Sequence, residues 1–191
     1  MKKDIILSGV GGQGILSIAT VIGEAATAAG LFLKQSEVHG MSQRGGDVQS
    51  NLRLSTEPIF SDLIPTGKAD LIISMEPMEA LRYLSFLCKD GTVVTSSKAF
   101  VNITDYPDEK AVIAELDRLP KVVKADIDAL ARENNLPKGA NMILLGMAAP
   151  SLELLSAEQL REALQRVFSR KGDAVVQANC KCFDIGVALN K

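Results

Sequence analysis

The stretch Gly9-Val10-Gly11-Gly12-Gln13-Gly14 contains the first residues whose types and spacing can do chemistry. Gly9, Gly11 and Gly14 satisfy G-x-G-x-x-G, and glycine there permits a tight turn and a close backbone approach to a ligand. With a strand before the loop and a helix after it, the first N–H groups of that helix point at whatever anion the loop admits. Gly12 adds a further position without a side chain, and Gln13 stands between Gly12 and Gly14. A tight strand-to-helix turn that binds nothing meets the same spacing. The dinucleotide form of the motif wants an acid about twenty positions on, at the end of the second strand. Glu37 lies in that region, so a free-standing NAD(P)- or flavin-binding oxidoreductase is one reading.

A second group follows in His39-Gly40-Met41-Ser42-Gln43-Arg44-Gly45-Gly46. A guanidinium beside two glycines can hold a phosphate or a partner's carboxylate. A solvated or interface arginine fits Arg44 equally well. Ser42, Gln43, Gly45 and Gly46 belong to the same candidate surface. Glu76 closes an apolar run at the presumed carboxyl end of a sheet, where open α/β folds bind ligands; capping the following helix is its other reading. His39 is the single histidine, and without a nucleophile elbow it gives little support for a triad. Cys88, Cys180 and Cys182 read as reduced thiols; the other reading of Cys180-Lys181-Cys182, a metal or redox bond, lacks the third and fourth ligands of an iron–sulfur or zinc site. No catalytic residue and no metal ligand is assigned.

The elements that must position these residues follow from periodicity. Asp4–Ser8 reads as a buried strand, Ile15–Ala29 as a helix ended by Gly30, and Leu31–Val38 as a second strand, together one βαβ unit. Strands are then expected at 50–55, 69–75 and 92–96, with a short partner strand at 58–60. A helix over 78–87 starts behind Pro77, and Asp90-Gly91 marks a turn. Glu109–Leu119 is an amphipathic helix, Val122-Val123 a brief strand, and Asp126 the cap of a helix running to Asn134. Met142–Ala149 is apolar all round and reads as a buried helix. Ser156 opens a capping box with Gln159, and a last helix places Val176, Cys180, Phe183 and Val187 on one face. The pattern predicts an α/β, Rossmann-like fold: a mainly parallel sheet with helices on both faces and a helical C-terminal third, about 124–191, serving as a cap or an interface.

A chain of 191 residues with 47% hydrophobic composition fits one globular domain. Its net charge of −2 carries no nucleic-acid footprint. No apolar run has the length of a membrane span or a signal-peptide core, so a cytoplasmic, soluble protein with no membrane partner is expected.

Three phrases carry a family resemblance: GVGGQG, SEVHGMSQRGGDVQSNLRLS and ADLIISMEPMEALRYL, joined later by DIDALARENNLPKGANMILLG. Together they resemble the gamma-type domain of 2-oxoacid:ferredoxin oxidoreductases over nearly the whole of residues 1–191. Within that group the likeness is greatest to the small (beta) subunits of the indolepyruvate type. The resemblance implies one part of a larger anaerobic enzyme that oxidatively decarboxylates 2-oxo acids to acyl-coenzyme A and passes the electrons to ferredoxin. It places thiamine diphosphate and the iron–sulfur clusters on a large (alpha) partner subunit. This chain then contributes interface, with part of the coenzyme A surface as a further role open to it. For the glycine loop, nucleotide binding, a partner contact and a structural turn all stay open. So does homo-oligomer formation by the isolated chain.

Overall fold

The computed structural model describes residues 1–39 and 46–190. Its elements run β1 (Lys2–Val10), α1 (Ile15–Ala28), β2 (Phe32–His39), β3 (Asp47–Ser55), β4 (Ala69–Ser74), α2 (Pro77–Arg82), β5 (Leu87–Ser96), α3 (Glu109–Asp117), β6 (Val122–Ala125), α4 (Ile127–Glu133), α5 (Ala140–Leu152), α6 (Ala157–Phe168) and α7 (Asp173–Ala188). The strands form one six-stranded sheet in the order β2-β3-β1-β4-β5-β6. Pairings from β1 through β4 and β5 to β6 are parallel. β3 lies antiparallel to both β1 and β2. The expected α/β class therefore holds, with an antiparallel margin on a parallel centre.

That margin corrects the simple βαβ expectation. β1 and β2 point the same way, but β3 separates them. The physical reason lies in burial. β3 carries Val48, Leu52 and Leu54 into the core and is covered along most of its length, whereas β2 holds Lys34, Gln35 and Glu37 and is largely exposed. The apolar strand takes the inner place and the polar one the edge. Asp4 and Arg53, opposed across β1 and β3, fix their register. Arg53 Nε and Nη2 donate to the buried Asp4 carboxylate at 2.8 and 3.1 Å. Arg53 Nη1 also donates to the carbonyls of Ser61 and Leu63, which pins the following loop. The strand expected at 58–60 does not form; this pinned loop takes its place, and Phe60 stands in solvent.

Two further boundaries move. α2 stops at Arg82, and a 3₁₀ turn over Leu84–Phe86 hands the chain directly to β5. Asp90-Gly91 lies inside β5 rather than in a turn before it, where the register against β4 slips between Ala69 and Leu71. A Cβ on Gly91 would meet Leu87 Cδ1 at 2.5 Å and the Ala69 carbonyl at 3.1 Å, so the irregularity needs glycine. α1 closes as expected on Gly30, whose φ of +71° accompanies N–H bonds from Gly30 to Thr27 and from Leu31 to Ala26.

One face of the sheet packs Ile5, Leu7, Leu71, Ile73 and Val94 against α1 and α5. The other buries Ile6, Ile72 and Val93 with Ala80, Tyr83 and Leu116 from the α2–α3 side. α5, apolar all round, sits between the sheet and α7, so the helical third completes this layer instead of standing apart as a cap. Gly146 and Gly186 let α5 and α7 approach closely: a Cβ on Gly146 would meet the Phe183 carbonyl at 2.1 Å. Among the described residues no helix is long and apolar enough to cross a membrane.

Candidate functional site

The carboxyl ends of β1 and β4 carry the two described features that the sequence singles out, the glycine loop and Glu76. Gly9 belongs to the end of β1, and the turn proper runs from Gly11 to Gly14. Its backbone is tied within the protein. Val10 N–H donates to Gln13 Oε1 at 2.7 Å, Gln13 N–H to the Val10 carbonyl at 3.1 Å, and Gly11 N–H to the Gly46 carbonyl at 2.9 Å. Gln13 is therefore a brace for the turn, and Gly46 joins the loop through its main chain. Gly9 is required by packing, since a Cβ there would meet Gln13 Oε1 at 2.9 Å and Met75 Cβ at 3.1 Å.

Gly14 and Gly12 differ sharply. Both have positive φ, +87° and +97°, a region that glycine enters without strain. Gly14 is also crowded: Asn141, at the start of α5, donates from Nδ2 to the Gly14 carbonyl at 3.2 Å, and a Cβ would meet that nitrogen at 2.5 Å. Around Gly12 a Cβ would find nothing within 4 Å, and the residue is exposed. Gly12 is thus the point where the loop offers bare backbone outward. Gly14 caps α1 without a side-chain hydrogen bond. The start of α1 is the part of this surface suited to a negative group.

Glu76 builds the neighbouring corner. Its backbone is extended, Pro77 begins α2 where no N–H is needed, and Glu76 Oε2 accepts from Glu79 N–H at 2.9 Å. The capping role is thus realised. Oε1 accepts from the Tyr106 hydroxyl and from Phe100 N–H, so this 1% exposed carboxylate also ties down the segment after β5. Glu79 is buried too and holds Arg82 through contacts of 2.9 and 3.2 Å. Burial lifts the Glu79 carboxyl above its ordinary value, with Arg82 acting in the opposite direction. Tyr83 donates to Asp47 at 3.2 Å. Burial, reinforced by the facing carboxylates, pushes the Tyr83 and Tyr106 hydroxyls upward, so both remain protonated donors.

The corner thus gathers Asp47, Glu76 and Glu79 with Tyr83, Tyr106 and Arg82. Only Glu76 of these is marked by the sequence reading. Glu79 had a local signal, an acid three residues beyond a capping position. Asp47, Tyr83, Tyr106 and Asn141 come from distant elements, and only the fold joins them. Three carboxylates make the corner a poor seat for a phosphate and a better one for a cationic or hydrogen-bond-donating surface. Ser8 and Thr95 hydroxyls, on β1 and β5, are buried with no partner among the described atoms.

Glu37 stands elsewhere. It lies on β2, opposite Ser50 and two strands from β1, where Gln35 Nε2 donates to its Oε1 at 2.6 Å. The structure does not bring it beside the glycine loop. His39 ends β2, opposite Val48. Ser42, Gln43, Arg44 and Gly45 lie outside the described residues. Cys180 and Cys182 are buried on α7, and burial pushes both thiols up. That environment does not suit iron–sulfur ligation, which takes thiolates, and the whole chain has one further cysteine.

A family model described as pyruvate ferredoxin/flavodoxin oxidoreductase matches residues 4–189. The chain belongs to this family. Among family relatives, a protein named indolepyruvate oxidoreductase subunit IorB from Thermococcus kodakarensis is 37% identical, over 100% of this chain and 98% of its own length. A subunit of the same name from Pyrococcus horikoshii is 36% identical over the same shares. The fold is likewise that of solved family structures. A keto/oxoacid ferredoxin oxidoreductase gamma subunit from Geobacter sulfurreducens superposes with a TM-score of 0.74 at 23% identity, covering 97% of this chain and 94% of that one. A 2-oxoglutarate:ferredoxin oxidoreductase from Magnetococcus marinus, with 2-oxoglutarate, coenzyme A and succinyl-CoA bound, gives 0.75 at 23% identity. It covers 98% of this chain and 31% of that one.

Proposed function

We propose that this chain is the small, non-catalytic subunit of a 2-oxoacid:ferredoxin oxidoreductase acting on indolepyruvate or related aryl pyruvates. The observation that carries the reading is the full-length likeness to subunits of that name. The complex would convert a 2-oxo acid and coenzyme A to acyl-coenzyme A and carbon dioxide, with the electrons passing to ferredoxin. Thiamine diphosphate and the iron–sulfur clusters would sit on the large subunit, where thiamine supplies the carbanion chemistry of decarboxylation and the clusters accept the electrons.

This chain's own residues then bind and position. Gln13, Gly46 and Asn141 hold the glycine loop closed, so its outward face is the bare backbone of Gly12 and the uncapped start of α1. If the chain shares the coenzyme A surface, this end of α1 is the part fitted to a phosphate, and Ser42, Gln43, Arg44 and Gly45 are the residues just before Gly46 in sequence. The Glu76 corner braces this end of the sheet instead, because its buried carboxylates are already committed to Tyr106, Glu79 and Arg82.

The test is reconstitution. Adding this chain to its cognate large subunit should restore coenzyme A-dependent reduction of ferredoxin by indolepyruvate. A large subunit fully active alone would overturn the proposal. Saturable binding of NAD(P) or flavin by the isolated chain, with hydride transfer, would favour a free-standing oxidoreductase. The displacement of Glu37 from the loop argues against that outcome.

A further inference from the structure

The outer edge of the sheet is open among the described residues. β2 is eight residues long, and no strand among the described residues lies beyond it. Such an edge presents a row of N–H and C=O groups to a further strand. Its residues divide cleanly between the two faces. Leu33, Gln35 and Glu37 lie opposite Leu54, Leu52 and Ser50, with Leu33 packed against the core. Phe32, Lys34, Ser36 and Val38 share the other face, and Phe32 and Val38 are 47% and 53% exposed. Two large apolar side chains, one near each end of an open edge strand, are thus about half exposed in the described chain.

We propose that this edge is a dimerisation surface on which two copies of the chain pair β2 with β2, antiparallel, about a two-fold axis beside Gln35. An antiparallel pair of identical strands requires an axis normal to the sheet, and the residue beside that axis then faces its own copy. With the axis at Gln35, Phe32 of each copy faces Val38 of the other, so the apolar pair forms twice, once on each side of the axis. Lys34 faces Ser36, and Leu33 faces Glu37. An axis at Lys34 or at Glu37 would set like charges directly opposite one another, which is destabilising. An axis at Ser36 would leave Phe32 beyond the opposing strand. The strand's own sequence therefore selects one register, and the two six-stranded sheets become continuous.

The register makes the test specific. In full-length chain carrying Cys88→Ser to remove the partly exposed native thiol, Gln35→Cys should form a disulfide-linked dimer under mild oxidation. Lys34→Cys and Ser36→Cys should each fail alone and cross-link when mixed, because they face one another. By analytical ultracentrifugation the unmodified chain should dimerise with concentration, and Val38→Lys should raise the dimer dissociation constant about tenfold or more. An unchanged far-ultraviolet circular dichroism spectrum of Val38→Lys would exclude misfolding as the cause; should that variant fail to fold, the cysteine pattern decides. A monomer at every concentration, alone and with the large subunit, would overturn the proposal. So would a dimer insensitive to Val38→Lys in which Gln35→Cys does not cross-link.

Discussion

The glycine loop and the Glu76 corner are neighbours at the same end of the sheet, yet they are built by opposite means. The loop is closed through main-chain groups: the N–H groups of Val10, Gly11 and Gln13 all bond, Val10 onto Gln13 Oε1, and its glycines make room for Asn141 and Met75. The corner is made of buried side-chain charge, with Glu76 accepting from three donors and Glu79 holding Arg82. A surface of the first kind is sensitive to added bulk and indifferent to pH. The second kind tolerates little loss of an acceptor and responds to protons.

Substitutions should separate the two, and the largest effect belongs to the loop's crowded glycine. Gly14→Val puts a β-branched residue at φ +87° and drives its Cβ into Asn141; the expected loss is about 4 kcal/mol, read by urea denaturation. A loss below about 1 kcal/mol would show that the turn is pliable and that its tie to α5 is incidental. Next comes Glu76→Ala, which strands the Tyr106 hydroxyl and two backbone N–H groups, at about 3 kcal/mol in the same assay. Tyr106→Phe removes only one of those bonds and should cost about 1 kcal/mol; equal losses for both variants would mean that the carboxylate acts through Tyr106 alone.

Gly12→Ala should cost about 1 kcal/mol, the price of positive φ without a clash. Its effect on association with the large subunit, measured by interferometry, should exceed its effect on folding if this backbone is a contact. The smallest effect is a slope. Because the folded Glu79 carboxyl titrates above 4.5, the folded chain binds more protons than the unfolded one just above that pH, and stability falls as pH rises through the window. Glu79→Gln should remove that fall, and a wild-type curve with no such fall would place the Glu79 carboxylate in a more hydrated setting than its burial indicates.

These two regions also differ in how far the amino-acid sequence announces them. Gly11–Gly14 and Pro77 behind Glu76 are local signals, because a turn and a helix start are decided by a few consecutive residues. The capping box at Ser156 and the cap at Asp126 are of the same kind, and both form as the pattern predicts. What stays hidden is whatever depends on a neighbour in space. Nothing in the run Leu31–Val38 says that β3 will slide between it and β1; that outcome rests on the relative burial of two whole strands. The expectation of Glu37 beside the loop depended on the simpler order. Tyr106, thirty residues beyond Glu76, reaches that carboxylate only because β5 and its following segment lie alongside β4.

The close contact of Gly146 and Gly186 sets a timetable as well as a distance. α5 covers the centre of one sheet face, and its own outer side is closed chiefly by α7, the last helix described in chain order. During synthesis the strands and α5 therefore emerge well before the helix that seals them. Until α7 arrives, an apolar surface of α5 stands open to any other apolar surface in reach. In that interval between the two glycines a newly made chain holds open apolar surface of the kind that aggregates.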